Sequence, residues 1–360
     1  MANPASVYCH EQGYTLEIRT DADGEYGVCI FPDGSECEEW AYFRGECGPA
    51  SEQGEAAAEQ GEPAPEEATE EAIPGLPTAG LSNAGWTPAS GELNGLPMVF
   101  VPAGCFKMGS PEAHVEQVAQ ECNALYEAAP FPCQTSLYQA EMPQHEVCID
   151  EPFWIGQTEV TNAQYAACVE AGACAPPVDR TAYDDPANAE HPVIQVTWPD
   201  AMAYAQWIGG TLPSEAQWEY SARGPEGWIY PWGDNFEQDK LNYCDVNCDV
   251  YFWVDASYDD GYGYTAPVGT YPGGASWVGA LDMSGNVWEW VGSVYRPYPY
   301  DAADGRDDPA AEGDHVLRGG AYDLSAIDLR PAFRYVLPPD GSCRGYGFRV
   351  AAEEGAVSPD

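Results

Sequence analysis

The chain has 360 residues, 44% of them hydrophobic, with 12 Trp and 23 Tyr, which is enough to bury a sizeable core spread over about two domains. Its 59 acidic residues against 13 basic ones give a formal charge of −46, which excludes binding of nucleic acid or of an anionic membrane through a basic face, because both depend on neutralising phosphates. No apolar run approaches the ~18 residues of a membrane-spanning helix, and 13 cysteines point to an oxidising compartment.

Residues 1–48 read as a small cysteine-rich exported module holding Cys9, Cys29, Cys37 and Cys47. Thr15-Leu-Glu-Ile-Arg alternates like a strand, Asp21-Ala-Asp-Gly-Glu reads as a turn, and Tyr26-Gly-Val-Cys-Ile-Phe predicts a second strand. A short β hairpin stapled by disulfides follows, with the pairing of its cysteines left open. Met1-Ala-Asn-Pro-Ala-Ser carries no export signal, so the cysteines lead to the expectation that one has been removed and that the protein is secreted, on the cell surface or periplasmic. Residues 49–86 are Glu, Ala, Gly and Pro with almost nothing to bury, an acidic linker by composition.

Residues 87–355 form the second domain, and 356–360 a tail. Three capping boxes mark helix starts: Thr161-x-x-Gln164 opens a helix toward Gly172, Thr197-x-x-Asp200 one reaching Ile208, and Ser214-x-x-Gln217 one toward Arg223. Short aromatic strands and Gly/Pro-rich connections fill the rest. The reading is an α+β fold of low regular secondary structure, whose long loops need cross-links or ions to stay ordered. Local cysteine pairs could supply them: Cys168 with Cys174, Cys244 with Cys248, Cys122 with Cys133, and Cys105 with Cys148 across two strand-like segments. Cys343 is then left as a free thiol.

Gly-Leu-Pro-Met-Val-Phe-Val-Pro-Ala-Gly (95–104), Glu-Val-Thr-Asn (159–162), Leu-Pro-Ser-Glu-Ala-Gln-Trp-Glu-Tyr (212–220), Gly-Asn-Val-Trp-Glu-Trp (285–290), Arg-Gly-Gly-Ala-Tyr (318–322) and Gly-Phe-Arg-Val (347–350) follow in order. Together they resemble the formylglycine-generating enzyme (sulfatase-modifying factor) family. The resemblance implies that family's fold, related to C-type lectin-like folds, and an oxidase that turns a sulfatase cysteine into formylglycine on a copper(I) ion held by two thiolates. Those thiolates map to Ala326 and Pro331, so copper is not expected and no catalytic residue is assigned. Residues 3–9 and 27–40 resemble a small exported domain family of unknown function labelled haemolysin-like. Iron-dependent sulfoxide synthases share the larger fold, but His10, His114, His145, His191 and His315 form no spaced cluster.

The resemblance also implies structural calcium. One site falls on Asp282, Gly285, Val287 and Glu289, the other on Asn242, Tyr243, Asp260 and Tyr262. Independently, Asp282-x-x-Gly285-x-x-x-Glu289 can wrap one loop with both carboxylates toward a common centre, and such an all-oxygen set suits a hard cation. Arg318, Arg334 and Arg349 read as braces of the core, with a ligand pocket made by Arg318, Tyr322, Arg334 and Trp288 as the functional alternative. The expectation is an exported, calcium-binding, non-catalytic binding or structural module for a protein, peptide or glycan. A divergent formylglycine-generating oxidase working through Cys343 and a second thiol not yet identified, and a subunit assembling into a homo-oligomer or filament, are the rival readings.

Overall fold

The computed structural model describes residues 14–20, 25–31, 35–38, 82–127, 133–249 and 253–359. Two compact units divide the chain, Met1–Glu71 and Ala72–Asp360. In the first, strands β1 (Thr15–Thr20), β2 (Glu25–Ile30) and β3 (Glu36–Glu38) form an antiparallel sheet in that order. Val28, Cys29, Phe31 and Cys37 are buried, and an exposed ion pair links Arg19 to Glu36 at 2.7 Å. Cys29 and Cys37 lie opposite each other in the ladder and are each disulfide-bonded. Cys9, Cys47 and most of the expected linker lie outside the described residues.

The larger unit begins before residue 87. Residues 82–86, expected to end the linker, pack into it: Asn83 Nδ2 donates to the Arg223 carbonyl at 2.8 Å, and Trp86 is buried against Phe100 and Trp277. β4 (Ser90–Leu93) alternates exposed and buried side chains, whereas β5 (Leu96–Val101) is an almost continuous buried run. β6 (Gly104–Met108) pairs with β7 (His145–Ile149), and their ladder sets Cys105 opposite Cys148. β8 (Phe153–Gly156) lies beside β5. β9 (Trp288–Val294), β10 (His315–Arg318), β11 (Tyr335–Leu337) and β12 (Tyr346–Phe348) form a second sheet in the order β11-β10-β9-β12, with β12 parallel to β9. β13 (Ala351–Glu353) and β14 (Ser358–Pro359) complete a five-stranded sheet in the order β13-β8-β5-β4-β14. The residues expected as a loose tail therefore include a strand, paired with β4.

Five α-helices are described. α1 (Glu112–Leu125) was not anticipated; it buries Val115, Val118 and Cys122 along one face. α2 (Ser136–Gln139) is a single turn. α3 (Asn162–Glu170), α4 (Trp198–Ile208) and α5 (Glu215–Arg223) start at the three capping boxes, each with both reciprocal hydrogen bonds present. Gly209, at φ 96, ends α4 in the left-handed conformation that glycine adopts without strain. Disulfides join Cys105–Cys148, Cys122–Cys133, Cys168–Cys174 and Cys244–Cys248, and Cys343 is free and exposed. The result is an α+β fold in which, among the described residues of the larger unit, long loops run between two larger sheets, the two-stranded β6–β7 sheet and five helices.

Candidate functional site

The four side chains expected around a ligand pocket separate in the structure. Helix α5 presents Glu215 and Glu219 one turn apart, both fully buried. Arg334 holds the two oxygens of Glu215 at 2.6 and 2.8 Å, and Arg318 spans Glu215 and Glu219 at 3.1 and 2.6 Å. Arg223 Nη1 and the Gly109 amide also donate to Glu219, at 2.5 and 2.7 Å. Arg330 forms a two-pronged pair with Glu141, both contacts at 2.7 Å. Burial alone would raise these carboxyls, but the guanidiniums outweigh it and hold Glu141, Glu215 and Glu219 below the usual range. Arg318 and Arg334 are thus internal ties, which corrects the ligand-pocket reading for both. Trp288 is also in the core, stacked 5.3 Å from Tyr335. Of the four, Tyr322 alone lines a cleft.

Glu289 is likewise committed. Arg349 grips both its oxygens at 2.6 and 2.7 Å, and the Trp218 indole N–H donates to it at 2.8 Å. Asp282, in the left-handed region at φ 59, accepts the Gly269 amide at 2.6 Å. The acid beside Asp282 is Glu159, fully buried, whose Oε1 accepts Asn286 Nδ2 at 3.0 Å and whose carboxyl is within hydrogen-bond reach of the Asp282 carboxyl. Burial, then the neighbouring Asp282, push Glu159 well up; burial also raises Asp282. Glu159, Asp282 and Glu289 lie within electrostatic reach of one another and of Arg349, so a single named guanidinium faces three acids.

The two expected calcium segments abut. Asn242 Nδ2 donates to Asn286 Oδ1 at 3.1 Å, the Asn286 amide donates to the Asn242 carbonyl at 3.0 Å, and any Cβ at Gly285, where φ is 80, would run into that carbonyl. Asn242 Oδ1 is left buried without a partner. Asp260 accepts the Tyr262 amide at 2.8 Å and the Tyr271 hydroxyl at 3.2 Å, and its own amide donates to buried Asp245 at 2.5 Å. Burial, and then Asp245, push Asp260 up to about 6. Tyr243 is buried; its carbonyl accepts the Asp245 amide at 2.8 Å and its hydroxyl donates to Asp255 at 2.7 Å. Val287 is buried beside Trp288.

Among the described residues no three His, Cys, Asp or Glu side chains converge on one metal position. A cation here would therefore draw on amide and backbone oxygens as well. The orphaned Asn242 Oδ1 and the adjoining Glu159 and Asp282 carboxyls, whose charge is poorly offset, fit a hard, oxygen-liganded ion. Glu159, Asp245 and Asn286 were not assigned from sequence. Glu159 and Asn286 stand inside motifs already singled out, and an acid in the apolar approach to a capping box was the available signal.

The positions matched to the copper thiols serve the backbone: the Ala326 carbonyl accepts the Tyr230 hydroxyl at 3.3 Å, and the Pro331 carbonyl accepts Arg318 at 2.6 Å. No cysteine occurs between Cys248 and Cys343. A cleft of about 510 Å³ opens on the other side of Tyr322, lined among others by His191, Gln195, Tyr262, Tyr264 and Arg344. These residues come from four loops far apart in sequence, and nothing in their local patterns announced that they meet.

Residues 1–46 match a domain of unknown function (DUF333), and residues 87–354 match the sulfatase-modifying factor enzyme 1-like domain. The formylglycine-generating enzyme of Streptomyces coelicolor is 34% identical over 267 residues, 61% of this chain and 83% of that protein. The mouse protein named inactive C-alpha-formylglycine-generating enzyme 2 is 34% identical over 177 residues, 48% of this chain and 52% of its own length. Among solved structures, PvdO from Pseudomonas aeruginosa superimposes with a TM-score of 0.55 at 26% identity, covering 74% of this chain and 99% of PvdO. Treponema denticola variable protein 1 shares the fold at a TM-score of 0.51 and 19% identity, over 74% of this chain and 99% of its own. With most of its larger unit matched, this chain belongs to the sulfatase-modifying factor enzyme 1-like family.

Proposed function

We propose that this chain is an exported, calcium-holding member of its family that works as an extracellular binding or structural module, without thiol–copper oxidase chemistry. The observation that carries the reading is the cysteine inventory: no cysteine lies between Cys248 and Cys343, and among the described cysteines only Cys343 is outside a disulfide. Linear copper(I) coordination needs two thiolates, and one exposed thiol does not supply them. The relative named as inactive supports the same view. The disulfides support export.

Calcium would be held by Asp282, Glu159 and the Asn242–Asn286 pair, with Asp260 and Asp245 on the adjoining loop. It would supply the positive charge that the buried acids lack and tie down loops with little regular hydrogen bonding. The test is mass spectrometry of a cysteine-containing sulfatase peptide incubated with copper-loaded protein, dioxygen and a thiol reductant, beside an active family member. No conversion is expected, and conversion to formylglycine overturns the reading. For calcium, metal-stripped protein should gain several degrees in melting temperature at micromolar calcium, and Glu159→Gln should lose that gain. A melting temperature unmoved by calcium removes the ion from the proposal.

A further inference from the structure

The cleft beside Tyr322 has features that packing alone does not require. Tyr322 is 2% exposed, yet its hydroxyl has no hydrogen-bond partner. A buried unpaired hydroxyl is destabilising, and burial pushes its pKa up, so it remains a donor. Tyr264, whose ring centroid is 5.8 Å from that of Tyr322, is 57% exposed, a broad aromatic face left in water at the mouth. Arg344 stands 5.7 Å above the Tyr264 ring. Its acid contact, Asp249 at 3.4 Å, joins two half-exposed side chains in water, a weak pair, and Asp323 is a second acid within electrostatic reach.

Two further features belong to the same walls. Gln195 holds a left-handed backbone at φ 61, a strained state for a residue that is not glycine and one that concentrates at binding sites. The acids of the lining are occupied locally: Asp179 accepts from the amide and hydroxyl of Thr181, and Asp185 from the Ala187 amide. They are not partners for Arg344. A volume of about 510 Å³ falls within the range of small-molecule pockets.

We propose that this cleft binds a small planar aromatic acid, its ring stacked on Tyr264, its carboxylate at Arg344, and an acceptor oxygen at the Tyr322 hydroxyl. A single cation between aromatic walls suits one carboxylate on a ring better than a phosphate, which draws on several donors of positive charge. The inference names the ligand class of the binding-module reading and rests on it only for physiological meaning.

The experiment is calorimetric titration of the full chain with 4-hydroxybenzoate, using cyclohexanecarboxylate and phenol as comparison probes. Saturable binding of 4-hydroxybenzoate is expected, with both comparison probes markedly weaker. Arg344→Gln should weaken it about tenfold. Tyr322→Phe should weaken it about fivefold with no loss of melting temperature, because the hydroxyl it removes has no partner in the protein. No binding at millimolar probe, equal affinity for cyclohexanecarboxylate, or affinity unchanged in both variants would each overturn the proposal. The oxidase assay reads a different outcome: a converted sulfatase peptide would sink the non-oxidase reading and leave the titration standing.

Discussion

Six arginines of this acidic chain are turned inward: Arg223, Arg306, Arg318, Arg330, Arg334 and Arg349 are buried. Arg318, Arg334 and Arg349 are fully buried, each tied to a buried glutamate. Removing one partner strands a charge in the interior, so Glu215→Ala, which would orphan Arg334 and half of Arg318, is expected to cost about 3–5 kcal/mol in chemical unfolding. A loss under about 1 kcal/mol would mean that water reaches the network. His315 behaves differently. Its ring stacks on Trp198 at 4.0 Å, its Nδ1 has no partner, and burial lowers its pKa to about 4. Unfolded histidine titrates near 6.5, so as pH falls from about 6.5 toward 4 the unfolded state takes up a proton that the folded state refuses. The stability that depends on neutral His315 is complete above that window and lost through it. Melting temperature should drop over this range, and His315→Phe should make the drop shallower than in the unaltered protein; parallel curves would show that His315 is not the group titrating.

At the level of elements, local signals carried well where the physics is local. The three capping boxes mark helix starts because each is closed by bonds four residues wide. The cysteine pairs 6, 4 and 11 residues apart needed only a short loop to meet. Helix α5 shows where local reading stops: eight of its residues are buried, and Glu215 can be among them because Arg318 and Arg334 arrive from more than a hundred residues away. Glu289 marks the same limit, its partner Arg349 being 60 residues on. The disulfides should differ in weight. By the loop-entropy argument, Cys105–Cys148, at a sequence separation of 43, contributes about 4 kcal/mol and Cys168–Cys174, at 6, about 2 kcal/mol. Paired Cys→Ser variants compared in guanidinium should keep that order; equal losses would place the effect in native contacts instead of the unfolded chain.

Over the whole molecule, a charge of −46 on 360 residues makes self-repulsion a standing load on the compact state. Sodium chloride between about 0.02 and 0.5 M should raise the melting temperature through screening, which acts on the exposed acids and hardly on the buried pairs. A flat response would mean that the surface acids are already neutralised by bound cations. The composition announced this load and the motif order announced the fold, but the cleft at Tyr322 and the junction of the two loops at Asn242 and Asn286 exist only once distant segments are folded together. The larger unit also has its first and last strands, β4 and β14, hydrogen-bonded side by side, Glu92 opposite Ser358. The strands nearest its two ends therefore run along one sheet edge, the geometry of a domain that can be spliced as a guest into a loop of another protein, or permuted by a linker from residue 359 back to residue 82, which keeps buried Trp86, with the chain reopened at the exposed residues 308–310.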